Sequence, residues 1–390
     1  MNQASAEKII FIPFIDAFGG AERLVLDLSR FLHELDVPHR VACFKQTIDV
    51  QQYSDRPLDI QELLPKRNPL LEAKALKRLL KSRPLTEAAQ PLLFDLKSAF
   101  YSGLAPSVPF VLHLTDPPSL LPADLSKYAP SARRFADFNR LPTVNAARAM
   151  RAELVHRLNR RGARRASKVI AMTERIRQEL RVLYNVDAVV VRPGVSTREP
   201  ASTPIRKASP LRMLSVSRLE PNKRIDWILR ALARVRDEER TNAGDWKFEV
   251  VGNGTLIESL KNLAIELGLE DRTIFLGHLS DEQLAAAYAR ANLFLMPAVQ
   301  GYGLPALEAL SRGIPTIVHK DSGVSEILNA NFWVEIVDGN NGSLANAITV
   351  MLNRLRKDEF IGCITPVVPT SSEWASNICR ECGWLPASMM

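Results

Sequence analysis

No stretch of this 390-residue chain approaches the roughly 18 to 20 consecutive apolar residues that a bilayer-spanning helix needs. The apolar start from Ile9 to Ile15 is broken by Pro13 and ends at Asp16, so it reads as a first strand with no export signal. Cysteine is scarce. Only Cys43, Cys363, Cys379 and Cys382 occur, and the single run Cys379-Arg380-Glu381-Cys382 lacks the second pair that a structural zinc site needs. Free thiols in a reducing cytoplasm are expected, with no bound metal. Glycine and proline form no low-complexity tract, and no short-period repeat is present.

What is present is enough for two globular domains of ordinary size, at 46% hydrophobic and 24% charged residues. In the second half strands alternate with helices: strands Leu211 to Val216, Phe248 to Val251, Ile274 to Leu276, Leu293 to Met296 and Thr316 to Val318 are separated by helical patterns. One helix puts Ile225, Ile228, Leu229, Leu232 and Val235 on one face; the next carries Leu256, Leu260, Leu263 and Leu267; Ser280 with Gln283 makes a capping box for a third. Such alternation predicts a parallel sheet covered on both faces, with ligands at the carboxyl ends of its strands. The first half starts alike, with strand Lys8 to Phe14, turn Ala17 to Gly20, and a helix facing the sheet through Leu24, Val25, Leu28, Leu32 and Leu35. Further strands are expected at Val41 to Phe44, Pro109 to Leu114, Lys168 to Met172 and Val189 to Val191, while Thr47 to Pro91 shows no clear pattern. Glu199 to Pro210 has the composition of a linker. The expected architecture is therefore two doubly wound α/β domains facing a central cleft.

The chemistry-bearing residues lie in the predicted turns. Gln300-Gly301-Tyr302-Gly303 joins a strand to a helix opened by Pro305, where glycine lets the backbone approach a ligand and the first N–H groups favour an anion. Glu308 follows about one turn into that helix. Ser217-Arg218-Leu219-Glu220-Pro221-Asn222-Lys223-Arg224 places cations between a strand and a helix, as a pyrophosphate requires. Val251-Gly252-Asn253-Gly254 and Phe275-Leu276-Gly277-His278-Leu279 end the neighbouring strands.

Taken in this order and spacing, these segments resemble the motifs of the retaining family 4 glycosyltransferases of the GT-B fold. The run Gln300 to Glu308 is similar to their E-G-F-G-L-P-A-L-E element, with glutamine in place of its first glutamate. Phe18-Gly19-Gly20-Ala21-Glu22-Arg23 resembles their glycine loop, Val111-Leu112-His113-Leu114 their histidine-bearing strand, and Ser371-Ser372-Glu373-Trp374 the terminal helix that returns to the first domain. The resemblance implies domains at 1–200 (acceptor side), 201–360 (nucleotide-sugar side) and a returning segment at 361–390. It implies a nucleotide-diphosphate sugar donor, a glycan or lipid-linked acceptor, no cofactor and no metal, in keeping with the lack of an Asp-x-Asp pair near a strand end. Carried over, Arg218 and Lys223 hold the diphosphate, Glu308 the ribose, and Gly301, Tyr302, Gly303 and Leu304 the sugar and phosphates. Gly252, Asn253, Gly254, His278 and Leu279 lie near the nucleotide, and Gly19 and Gly20 bring amides toward the phosphates. His113 and Gln300 would sit against the transferred sugar. With glutamine at 300, a nucleotide-sugar 2-epimerase or a catalytically weak nucleotide-sugar-binding protein stays open beside a transferase.

The formal net charge of +8 is concentrated. From Arg140 to Arg181 twelve Lys/Arg stand against three acids. Arg148, Arg151, Arg160, Arg161, Arg164 and Arg165 form a cationic stretch suited to anionic lipid or a phosphate-bearing acceptor, or simply to water. The segment has few of the aromatics that stack bases, so no nucleic acid is expected. A cytoplasmic protein, peripheral at the inner membrane face and engaged in surface polysaccharide or glycolipid synthesis, is the setting that the resemblance implies.

Overall fold

The computed structural model describes residues 7–16, 18–54, 56–63, 68–81, 90–105, 108–118, 146–196, 209–238, 245–338 and 341–385. The expected linker lies almost wholly outside these residues, as do the boundary at 200/201, Ala17, Arg140 and the side chain of Arg148. The chain divides into two compact units, 1–193 with 370–390, and 194–369. Residues 361–369 thus group with the second unit, and the return to the first begins at Thr370.

The first unit is built on strands β1 (Lys8–Phe11), β2 (Phe14–Ile15), β3 (His39–Cys43), β4 (Lys45–Gln46), β5 (Ile60–Glu62), β6 (Leu92–Phe94), β7 (Val111–Leu114), β8 (Lys168–Ala171) and β9 (Val189–Val190). Seven of them form a sheet in the order β5-β3-β1-β6-β7-β8-β9, and β2 pairs with β4 separately. All of the pairings are parallel. Every residue of β1, β6 and β7 is buried, which is why these strands are apolar without alternation except at Lys8 and His113. Among the described residues five helices accompany them: α1 (Gly20–Glu34), α2 (Pro69–Lys81), α3 (Asp95–Leu104), α4 (Ala146–Ala163) and α5 (Glu174–Tyr184). Helix α1 buries Leu24, Val25, Leu28 and Leu32 as expected, but Leu35 is its C-cap and is exposed. The unpatterned stretch after Thr47 contains β5 and α2, whose few buried positions make a weak signal.

Helices α3 and α4 touch backbone to backbone. A Cβ on Gly162 would lie 1.7 Å from the Ala99 carbonyl oxygen, and one on Gly103 2.2 Å from that of Leu158, so only glycine fits at either position.

The second unit has strands β10 (Leu211–Val216), β11 (Trp246–Val251), β12 (Thr273–Gly277), β13 (Leu293–Met296), β14 (Thr316–His319) and β15 (Val334–Val337), interleaved with α6 (Ile225–Glu238), α7 (Ile257–Glu266), α8 (Asp281–Arg290), α9 (Leu304–Ser311) and α10 (Asn341–Arg356). The sheet order is β12-β11-β10-β13-β14-β15, all parallel. The chain first runs from β10 outward to β12, then returns to β13 on the other side of β10. The topological switch point therefore lies between β10 and β13, where ligands of open α/β sheets bind. Buried inside this unit, Glu249 on β11 accepts from Arg212 at 2.8 Å and from Arg290 at 2.9 Å, which ties β10 and α8 to β11.

The last helix, α11 (Ser371–Glu381), opens with a capping box in which the Thr370 side chain accepts from the Glu373 N–H at 3.1 Å, and it packs on α1. Its Trp374, Ile378 and Cys379 are buried in the first unit. Two parallel-sheet α/β domains with eleven described helices and this returning segment make a GT-B fold.

Candidate functional site

Motifs far apart in the second half converge at the carboxyl ends of β10 to β13. The Leu219 N–H donates to Asn253 O at 2.9 Å, the Leu256 N–H returns to Leu219 O at 3.2 Å, and the Gly252 N–H reaches Gly277 O at 2.7 Å. These bonds lock the arginine loop, the Gly252-Asn253-Gly254 turn and the end of β12 together. The approach is so close that a Cβ on Gly252, whose φ is +123°, would lie 1.9 Å from Ser217 O. Gly254 has the same restriction against Leu219. Across the switch point, a 3-10 turn at Pro221–Lys223 is fastened to the loop after β13, where the Val299 N–H donates to Asn222 O at 3.1 Å.

This fastening brings Lys223 to Gln300: the ammonium Nζ donates to the amide Oε1. Gln300 Nε2 donates to Met296 Sδ at 3.0 Å, so both ends of the amide are engaged. Arg218 lies on the exposed side of the same loop and pairs with Glu220 at 3.1 Å, a surface contact of small energetic weight that a diphosphate would readily replace.

Beyond Gln300, Gly301 to Leu304 are buried, so Tyr302 and Leu304 anchor the turn with their side chains and offer their backbone. Tyr302 O accepts from Ser322 Oγ at 2.8 Å and from the Val324 N–H at 3.1 Å. Gly303 has φ +135°, and a Cβ there would lie 2.7 Å from Met296 Cε. Helix α9 starts at once: the Leu304 N–H lacks an intrahelical acceptor by geometry, Pro305 has no N–H, and the Ala306 N–H donates to Gly303 O at 3.1 Å. Glu308 is buried on it and accepts from the Tyr288 hydroxyl at 2.8 Å. His278 is exposed just beyond β12 and Leu279 half-buried, while Gly277, at φ +66°, turns the chain beside Asn253.

The expected residues of the first unit lie in β7 and at the start of α1. His113 lies inside β7, 0% exposed, with its ring 4.8 Å from Phe94 and 5.9 Å from Trp374, and neither ring nitrogen finds a hydrogen-bond partner among the described residues. Burial pushes its pKa down to about 3. It is therefore a buried, neutral residue of the strand. Gly19 donates its N–H to Glu22 Oε2 at 3.0 Å, and Gly20, which opens α1, has open space where a Cβ would be.

Asp95 is a candidate that sequence reasoning passed over. It follows β6 directly at the first sheet's own switch point, between β1 and β6, in the left-handed region with φ +76°. Its Oδ1 accepts from the Leu96 N–H at 2.5 Å, and burial raises its pKa, opposed by the charge of Lys97. An aspartate directly behind the apolar triplet Leu92-Leu93-Phe94 was the available signal.

The basic segment is also sorted by the structure. Arg165 does not face outward: its Nη1 donates to Ser102 O at 2.9 Å, Gly103 O at 3.3 Å and Ala105 O, capping the end of α3. That use of a cation on helix-terminal carbonyls removes it from the expected membrane-facing set. Arg151, Arg157, Arg160, Arg161 and Arg164 are exposed, and so are Met150 and Leu154. With 3.6 residues per turn, positions 150, 154, 157, 161 and 164 share one face of α4 and its C-terminal extension. No helix among the described residues is long and apolar enough to cross a membrane.

Comparison with known proteins follows the same division. The family model for glycosyl transferases group 1 matches residues 198–359, and that for glycosyltransferase family 4 matches residues 18–199. A GDP-mannose-dependent alpha-(1-6)-phosphatidylinositol monomannoside mannosyltransferase of Mycolicibacterium smegmatis is 30% identical over 154 residues, covering 37% of this chain and 38% of the relative. The chain matches less than half the length of this and the other curated relatives found. Among solved structures, WaaG, a glycosyltransferase involved in lipopolysaccharide biosynthesis, superposes with a TM-score of 0.67 at 16% identity, covering 96% of this chain and 94% of the other. Anabaena HepE in complex with UDP-glucose gives a TM-score of 0.65 at 19% identity over 96% and 95% of the two chains. At these identities the structural likeness bears on the fold.

Proposed function

Because the chain belongs to glycosyltransferase family 4, with a C-terminal glycosyl transferases group 1 domain, we propose that it moves a hexose, with retention of configuration, from a nucleoside-diphosphate sugar to a glycan or lipid-linked acceptor. The observation that carries this reading is the meeting of Lys223 and Gln300 across the switch point, with Arg218 on the same loop and Glu308 on the helix that follows. Arg218, Lys223 and the first turn of α9 are the groups that would hold the diphosphate and stabilise charge on it as the sugar C1–O bond breaks. Glu308 would accept from the ribose hydroxyls. Gly252 to Gly254, His278 and Leu279 would border the base, and Gly301 to Leu304 the sugar through their backbone. In the retaining step the acceptor oxygen bonds to C1 on the face that the phosphate leaves, and the acceptor proton passes to the departing phosphate oxygen.

The lipid-linked acceptor is supported by what the relatives are named for, phosphatidylinositol mannoside and lipopolysaccharide synthesis, and by the arginine face of α4, which is suited to anionic headgroups. Peripheral attachment at the inner face of the cytoplasmic membrane follows as part of the same proposal. Gln300 supports a second reading, a binding protein with weak turnover, because a neutral amide lends no negative charge to an oxocarbenium-like state. Incubation of the protein with labelled nucleotide sugars and membrane-lipid extract separates them. Transfer of label to lipid with the donor's anomeric configuration supports the transferase, an epimerised sugar without acceptor supports a 2-epimerase, and tight binding without product supports the binding protein.

A further inference from the structure

We propose that Gln300 is a positioning residue for Lys223, and that its amide N–H is the group this chain turns toward a bound donor. The inference rests on the donor-site reading above. A glutamine carbonyl only accepts and its NH2 only donates, so the contact of Lys223 Nζ with Oε1 and the 3.0 Å bond from Nε2 to Met296 Sδ fix the amide in one orientation.

The backbone of Gln300 is held as firmly as its side chain. It forms a parallel bridge with Ser322, and its carbonyl accepts from the Gly323 N–H at 3.1 Å. The space for the amide is set by Gly303, where a Cβ would fall 2.9 Å from Gln300 Nε2. Two consequences follow. With one lone pair of its carbonyl given to the ammonium, Gln300 offers chiefly N–H, and a thioether is a weak acceptor that a sugar oxygen would displace. The residue also adds no negative charge beside Lys223, whereas a glutamate at this position would lower the local charge by one unit exactly where a diphosphate is to bind. The glutamine therefore orients the lysine and leaves the site more attractive to the diphosphate than a carboxylate would.

The test is calorimetric titration of wild type, Gln300→Glu and Gln300→Ala with whichever of UDP, GDP and ADP binds wild type most tightly, and with the parent nucleoside. The expected result for Gln300→Glu is diphosphate binding weakened about tenfold, the factor that ~1.4 kcal/mol of added repulsion produces, with nucleoside binding unchanged. Gln300→Ala also weakens the diphosphate selectively, because the ammonium loses the contact that Gln300 supplies. Equal or tighter diphosphate binding by Gln300→Glu overturns the inference while leaving the donor site standing. Loss of nucleoside and diphosphate binding in parallel also overturns it, by showing that the side chain only supports the fold. If none of the three diphosphates binds wild type, the donor-site reading fails and this inference falls with it.

Discussion

The hydroxyl of Tyr288 on α8 donates to Glu308 Oε2 on α9 at 2.8 Å, and both residues are buried. The Tyr288 ring stacks on Phe294 at 6.0 Å and carries the Arg312 guanidinium 4.7 Å from its centroid. A carboxylate placed this way is aimed before any ligand arrives. Tyr288→Phe removes the donor while keeping the ring, and a hydrogen bond to a charged group contributes about 1.5–3 kcal/mol. Urea denaturation is expected to show a loss within that range, and nucleotide binding is expected to weaken with it.

Gly252→Ala puts a Cβ 1.9 Å from the Ser217 carbonyl at a φ of +123°, so the arginine loop must move. The variant is expected to lose several degrees in melting temperature and most of its nucleotide affinity. Gly20→Ala, where a Cβ meets nothing within 4 Å, is expected to melt with wild type. Parallel thermal scans of the two variants check the contrast.

Buried neutral histidine sets an acid limit. Burial holds His113 at about 3, against roughly 6.5 for an unfolded histidine. The unfolded chain therefore takes up a proton that the folded chain refuses. The resulting stability is full above about pH 6.5 and is lost as pH falls from there toward 3, at up to about 1.4 kcal/mol per pH unit. His319, pushed down to about 4 by burial and the Arg224 charge, acts with the same sign. Denaturant titrations from pH 7 to 5 are expected to show a shallower decline for His113→Leu than for wild type.

The outward face of α4 predicts binding to vesicles of anionic lipid but not to zwitterionic ones. Charge reversal at Arg157, Arg161 and Arg164 removes three cations worth about 1 kcal/mol each near such a surface. Cosedimentation is expected to fall by about a hundredfold or more, and the wild-type signal to fade with salt.

Much of this structure was legible because local chemistry and global fold agree. Ser280 and Gln283 form the capping box that their spacing announces, with bonds of 3.0 and 3.3 Å, and Ile225, Ile228, Leu229, Leu232 and Val235 are all buried. The strand Val334–Val337 passed unnoticed because four residues carry too little pattern, and α7 buries Leu260 and Ala264 while Leu256 and Leu267 fall at its caps. In the turns after β10 and β13 the residue types were readable, but the contact between Lys223 and Gln300 was not, since it depends on strand order. Arg165 shows the limit most clearly. An arginine in a basic run looks like part of a cationic surface in one dimension, and only packing reveals it as a helix cap.

The loops after β10 and β13 are proposed to bind a nucleoside diphosphate. Thermal unfolding of wild type and an Arg218→Ala/Lys223→Ala variant, each with UDP, GDP, ADP and their sugar conjugates, tests it directly. At a hundred times its dissociation constant a ligand adds about 2.7 kcal/mol, so one nucleotide is expected to raise the wild-type melting temperature by several degrees and to leave the variant unmoved. No shift with any nucleotide, or an equal shift in the variant, would contradict it.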